Sequence, residues 1–397
     1  MGVATVEDSP SQWSGNQSLA ALERGVLLQA TGDYALSARD LSDADNNLEI
    51  IDLSTDAIGQ IGEYIYSGSA SQYKASPIER LSMNALNMLN FLASGDLTGA
   101  AVEARRFTNA RDTLASVGIE AASYYGAYLT GFIFEWLGEG NRALRYYEEA
   151  LAAGGLTGLA EPIARLASLN PYRGPRIQSL LAASGLAEGV KSGRTSEILT
   201  VVALGRVPYK VPERIPLGAA VGIAGAYISG NPKILERSVL KVLVYPELTA
   251  SQSRARNASV YVDGAAVPLE LVSSLGREIR SEYELIKPRI IGSAVSRMIT
   301  RAVAAEGIRA AGNQAGDGGA IIGLLGALFA EASLVALDKP DTRSWTFLPD
   351  RISISRSPVQ PGAHEVEVRV KGIDDVRRVP VNVPANGFVV VVVTLPQ

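Results

Sequence analysis

The chain has 397 residues, of which 47% are hydrophobic and 20% charged, so it falls among folded proteins and is too long for one hydrophobic core; two or three domains are expected. A formal charge of −4 provides no field to gather phosphate backbones, which argues against nucleic acid as a partner. The absence of cysteine excludes disulfides, thiolate metal sites and Cys nucleophiles, and the single histidine, His364, would have to carry any triad or zinc site alone. We therefore expect no cofactor and no catalytic centre, and read His364 as a surface or edge-strand residue.

Residues 1–16 are polar and lack both a basic stretch and an apolar run, so they read as a flexible N-terminus and the chain as given as cytoplasmic. Leu19, Leu22, Val26, Leu27 and Ala30 then recur at helical spacing, Gly32-Asp33-Tyr34 breaks the run, and helix resumes over 35–52. After a short helix and a loop through Gly68-Ser69-Ala70-Ser71, Ser76-Pro77-Ile78-Glu79 supplies an N-cap, a first-position Pro and a first-turn acid for a helix over 78–94. Gly95-Asp96-Leu97 turns the chain into a partner helix over 98–116, where Glu103, Arg105 and Arg106 form a polar stripe, either a solvated face or a binding one. A third pair is divided by Gly138-Glu139-Gly140. Its aromatic residues, Tyr128, Phe132 and Trp136 at spacings of four among them, predict core packing; Tyr128 is also kept as a partner-binding candidate. Three such hairpins predict a small, irregular helical solenoid over 17–190 whose concave face is open to a partner.

From residue 191 the texture changes. Short β-branched runs at 198–203, 239–244, 258–262 and 266–272 read as strands, and the Gly/Ala-rich stretch 217–230 as a closely packed segment. A helix over 272–306 carries Ile291, Ala294, Val295, Met298 and Ala302 on one stripe and is open to a kink at Pro288. The apolar stretch 318–337 reads as a buried helix rather than a membrane span, because Glu331 interrupts it. The tail is β-rich, with strands at 351–355, 365–370, 379–383 and 388–394; Val389–Val393 has the pattern of a strand buried on both faces.

Carboxylates are the one catalytic set available, but Asp317, Glu331, Asp338 and Asp341 cluster around a helix with nothing to fix their separation. Gly316–Ala320 precedes a helix without the residues that complete a nucleotide motif. The Pro-bounded loop 339–349 holds Arg343 and Trp345, residue types frequent at interfaces; the alternative is that Trp345 pins the loop onto its own sheet with Arg343 paired to Asp341.

Gly95-Asp-Leu followed by Ala-Val-Glu-Ala-Arg-Arg106, Val207-Pro-Tyr-Lys-Val-Pro-Glu-Arg-Ile-Pro216, Asp341-Thr-Arg-Ser-Trp345 with Leu348-Pro349, and Pro361-Gly-Ala-His364 together resemble a family of uncharacterised bacterial envelope proteins, often lipoproteins. That resemblance implies a tetratricopeptide-like helical front, a β-containing back and a periplasmic, outer-membrane-associated location. It also implies an export signal and lipid-bearing Cys upstream, neither of which this sequence carries, so truncation is expected. The fold class expected is α+β: a helical-hairpin solenoid over 17–190, then an α+β domain over 191–397 with a β-rich tail. The function expected is a non-enzymatic, protein-binding scaffold of the cell envelope, with homo-oligomerisation as a further option and Arg105, Tyr128, Arg343 and Trp345 as candidate partner contacts. The alternatives are a pore or secretion accessory using its Gly/Ala-rich segments and a carboxylate-dependent cell-wall hydrolase.

Overall fold

Each of the three glycine turns closes a helical hairpin. In the computed structural model, which describes residues 16–47, 73–116, 118–119, 121, 123–186, 195–237, 242–255, 257–314 and 340–397, α1 (Gln17–Thr31) pairs with α2 (Tyr34–Asn47), α3 (Pro77–Ala93) with α4 (Leu97–Ser116), and α5 (Tyr124–Trp136) with α6 (Gly140–Ala150). Gly32, Gly95 and Gly138 take φ of +84°, +75° and +80°, where a side chain would be strained. The next N–H reaches back to the preceding helix in the same way each time: Asp33 to Leu28 O, Asp96 to Phe91 O and Glu139 to Phe134 O, at 2.9, 2.8 and 2.8 Å. These are Schellman closures, which satisfy carbonyls that the helix end leaves free. Two further helices follow, α7 (Ala160–Leu169) and α8 (Pro175–Ser184).

The predicted start of α3 forms as a reciprocal cap. Glu79 N–H donates to Ser76 Oγ at 3.3 Å, and Ser76 N–H to Glu79 Oε2 at 2.7 Å. Replacing Ser76 with Ala is expected to lower the unfolding free energy by about 1 kcal/mol in urea denaturation; an unchanged midpoint would show that the cap contributes nothing.

The C-terminal half builds three sheets. The first has the order β10-β1-β7-β6, from β1 (Glu197–Leu204), β6 (Glu270–Ser274), β7 (Arg351–Pro358) and β10 (Phe388–Leu395). β10 runs parallel to β1 from Glu197↔Phe388 to Leu204↔Leu395, so the last strand closes onto the first. The second sheet is β5-β4-β8-β9, from β4 (Asn257–Val262), β5 (Ala265–Val267), β8 (Gly362–Lys371) and β9 (Asp375–Val383); the third is the hairpin of β2 (Lys210–Pro216) and β3 (Val242–Leu248). Where one strand was expected over 266–272, β5 and β6 lie in different sheets, because Pro268 between them has no N–H to continue a ladder.

Strand alternation makes the first sheet a middle layer. Leu199, Val201, Val390 and Val392 join the core of the helical hairpins, while Ile198, Val202, Val391 and Val393 join a second core under β4 and β8. The valine run is thus buried on both faces, as its composition predicts. Helices α1, α3 and α5 pack on this sheet: Phe388 lies edge-on to Phe132 at 5.1 Å and tilted on Trp136 at 4.7 Å, and Thr394 donates to Gln29 Oε1 at 3.1 Å. The helical face expected to stand open to a partner is covered by the chain's own β-sheet. Helices and strands share one apolar core, because three short hairpins bury too little surface among themselves.

A third core joins β3, α9 (Leu217–Ala224) and the far half of α10 (Leu275–Gln314). Its stripe of Ile291, Ala294, Val295, Met298 and Ala302 is buried as predicted, and the helix continues through Pro288. The stretch 217–230 departs from the expected close packing: α9 buries Leu217, Ala220 and Ala224 and turns Gly218, Ala219, Gly222 and Ile223 outward. Among the described residues no helix is long and apolar enough to cross a membrane. Residues 318–337, with Asp317, Glu331 and Asp338, and the Gly316–Ala320 loop lie outside the described residues, as do residues 1–15 and the segment 48–72.

Candidate binding cleft

The four residues singled out in the sequence occupy three separate places. Arg105 is exposed on the outer face of α4. Tyr128 is buried in α5, edge-on to Tyr147 at 5.9 Å, so it belongs to the core and offers no surface to a partner. Trp345 is fully buried and is likewise corrected from contact to core residue. Its loop is pinned by α1, where the Glu23 carboxylate accepts N–H bonds from Thr346 and Phe347 at 2.7 and 2.8 Å and the Thr346 hydroxyl at 2.7 Å. Arg343 forks onto Asp341, Nε to Oδ1 at 2.9 Å and Nη2 to Oδ2 at 2.7 Å, and reaches Asn16 Oδ1 at 3.0 Å. The loop is therefore a clasp between β-sheet and helices, and Trp345→Ala would open a core cavity instead of reporting on binding.

His364 opens β8, an inner strand of its sheet, where Nδ1 meets Asp263 Oδ2 at 2.6 Å and Nε2 meets Gln360 O at 2.7 Å. The Asp263 hydrogen bond raises its pKa. Both ring nitrogens are occupied by local turn contacts.

A buried ionic cluster joins helices to sheet. Arg356 of β7, with a side chain 3% exposed, donates through Nη1 and Nη2 to Glu135 of α5, both at 2.9 Å, and through Nε and Nη2 to Glu197 of β1 at 2.5 and 2.8 Å. Trp136 Nε1 donates to Glu197 at 2.9 Å, Tyr147 to Glu135 at 2.5 Å, and Arg165 of α7 completes the neutral set of two arginines and two glutamates. Burial pushes Glu135 upward, but Arg356 and Arg165 outweigh it and hold the carboxyl below its ordinary range. Every charge here faces another charge of the cluster, which marks a structural device.

A cleft lies elsewhere. A cleft of about 690 Å³ opens between the start of α3 (Pro77, Ile78), the α4–α5 connection (Gly118, Ile119, Ala121, Tyr124), Ala152–Ala153, β6 and the first three turns of α10. Leu271 and Leu285, both exposed, stand among its lining residues. Its size suits a few side chains or a small molecule. Two carboxyls line it one helical turn apart, Glu278 and Glu282. Each residue is partly exposed, yet Oε2 of Glu278 and Oε1 of Glu282 are shut off from solvent and hold no hydrogen-bond partner among the described residues. Burial raises Glu278 to about 7, against the Ser273 hydroxyl, the Ser274 N–H and the Arg277 charge. Burial raises Glu282 to about 8, with Glu79 adding to the rise and Ser76 and the Ile78 backbone opposing it. Both carboxyls therefore hold or release protons near neutral pH, as groups at functional sites often do.

Sequence reasoning missed this pair. Glu278 and Glu282 stand among Arg277, Arg280, Glu284 and Lys287, which reads as the solvated face of a helix. The available signal was their position flanking the stripe of Leu275, Ile279, Tyr283 and Ile286, all buried in the structure. No known protein family, curated protein or solved structure matches this chain.

Proposed function

We propose that the protein is a non-enzymatic interaction scaffold of the bacterial cell envelope that receives a segment of a protein partner in the cleft between α3, β6 and α10. The observation that carries this reading is an apolar cleft with exposed Leu271 and Leu285 among its lining. The hairpins α1–α2, α3–α4 and α5–α6 are read as an irregular tetratricopeptide-like stack, and binding is assigned to its rim because its sheet-facing side is covered. The envelope setting rests on the sequence resemblance alone.

A photo-crosslinking residue in place of Leu285 is expected to capture one discrete partner, and the same group in place of exposed Leu169 on α7 is not. Filling the cleft with Ser281→Trp should abolish that capture. Equal capture at both positions, or capture that survives the filled cleft, would refute the assignment. A carboxylate-dependent hydrolase is a second reading, favoured by two proton-exchanging carboxyls in one cleft; it requires Glu278→Gln to remove hydrolysis of a cell-wall sugar.

A further inference from the structure

We infer that Pro380 keeps the open edge of the second sheet from pairing with the same edge of another copy of this chain. β9 ends the order β5-β4-β8-β9, and among the described residues no strand lies on its other side. Val376, Arg377, Arg378, Pro380 and Asn382 are exposed along it. An edge of this length offers a row of N–H and C=O groups to an extended chain. A second copy carries the same row, and two such rows match when the strands run antiparallel.

The ladder fixes which groups point outward. Asp263 N–H donates to Glu365 O and Glu365 N–H to Asp263 Oδ1, both at 2.9 Å, so Glu365 turns its backbone groups toward the β4 side. Bonded and non-bonded pairs alternate along antiparallel strands. Glu365 stands opposite Pro380, so this pair of the β8–β9 ladder is a non-bonded one, and Pro380 turns its nitrogen and carbonyl to the open side. Val376, Arg378 and Asn382 face the same way, and the residues between them bond to β8. Proline has no N–H, so it takes a donor from the outward row and none from the ladder.

The third sheet follows the same rule. Thr249 N–H donates to Tyr209 O at 2.9 Å, and by the same alternation Pro212 and Pro216 of β2 and Pro246 of β3 face off the hairpin. There the chain adds covers of its own: the Ser344 hydroxyl accepts the Lys210 N–H at 2.9 Å, and the Tyr283 hydroxyl donates to Pro246 O at 2.5 Å. At the edge strand β6, Glu278 takes the Ser274 N–H. Among the described residues nothing bonds to the outward groups of β9, which leaves Pro380 to break the row.

Two β9 strands centred on residue 380 would meet where neither has an N–H to give. Both central hydrogen bonds would be missing, and carbonyls closed off without a donor are costly. A register centred on Arg378 sets like charges opposite each other.

Pro380→Val restores the donor with a residue suited to strands. Sedimentation velocity over a concentration series of the full chain should show self-association tighter than wild type by roughly tenfold or more. Circular dichroism checks the fold. Amide exchange at Val376, Arg378 and Asn382 should slow as concentration rises. The variant Pro380→Val, Arg378→Pro keeps the new valine but withholds the neighbouring outward N–H, and should behave as wild type does. If Pro380→Val associates no more tightly than wild type, the inference is overturned. It is also overturned if both variants associate equally, or if association leaves those three amides unprotected, because the exposed valine would then drive the contact.

Discussion

Replacing Arg356 with methionine is expected to lower the unfolding free energy by about 3–5 kcal/mol, the range for breaking a buried ion pair from one side. The magnitude follows from what remains. Glu135 and Glu197 have side chains only 2% and 6% exposed, and without the guanidinium each keeps a charge that cannot reach water. Arg165 still neutralises part of Glu135, but among the described residues Glu197 is left with the Trp136 indole N–H alone. Urea denaturation measures the loss directly. Adding Glu197→Gln to the variant, which leaves Glu135 paired with Arg165, should restore more than half of it, because the penalty lies in the unpaired charge more than in the absent bond. A loss below about 1 kcal/mol for Arg356→Met would mean that the cluster is hydrated and does not join the layers.

The second large effect runs in the opposite direction. Glu282→Gln should stabilise the protein, by an amount that grows with pH. In the folded chain burial raises this carboxyl to about 8 from an ordinary 4.5, so over that interval the folded state holds a proton that the unfolded state has lost. Stability is then greatest below pH 4.5, falls by up to about 1.4 kcal/mol per pH unit as the solution approaches pH 8, and is level above it. Glutamine has the same shape and never ionises. Wild type and variant should therefore unfold together near pH 4.5 and separate progressively to pH 8. Glu278, raised to about 7, adds a similar but shorter slope. Contributions of opposite sign, such as that of Glu135, cancel in the difference between the two proteins. Parallel stability curves across this range would show that Glu282 is solvated and ionised.

Local order was largely legible in the sequence. Gly32, Gly95 and Gly138, the Ser76-Pro77 start, and the stripe from Ile291 to Ala302 each follow from backbone sterics or a single periodicity, and each appears in the structure. What escaped was the pairing of distant elements. Nothing in the local pattern of Phe388–Leu395 says that it lies beside Glu197–Leu204, and without that pairing the helices look like a groove waiting for a partner. Trp345 and Tyr128 illustrate the same gap: a large aromatic side chain suits an interface and a core equally well, and only the neighbours decide. Glu278 and Glu282 were hidden for the opposite reason, since charged residues on a helix are usually solvated.

The parallel register of β10 on β1 also sets an order of events. The helical hairpins leave the ribosome some 200 residues before the strand that completes the surface they rest on, roughly 10–40 s at ordinary rates of synthesis. Until then Phe132 and Trp136 lack Phe388, and β1 has neither of its neighbours before β7 is made and only one before β10 is. This chain cannot be assembled from front to back as a repeat array can. Its helices wait for β10, and the nascent protein must be kept from aggregating during that interval.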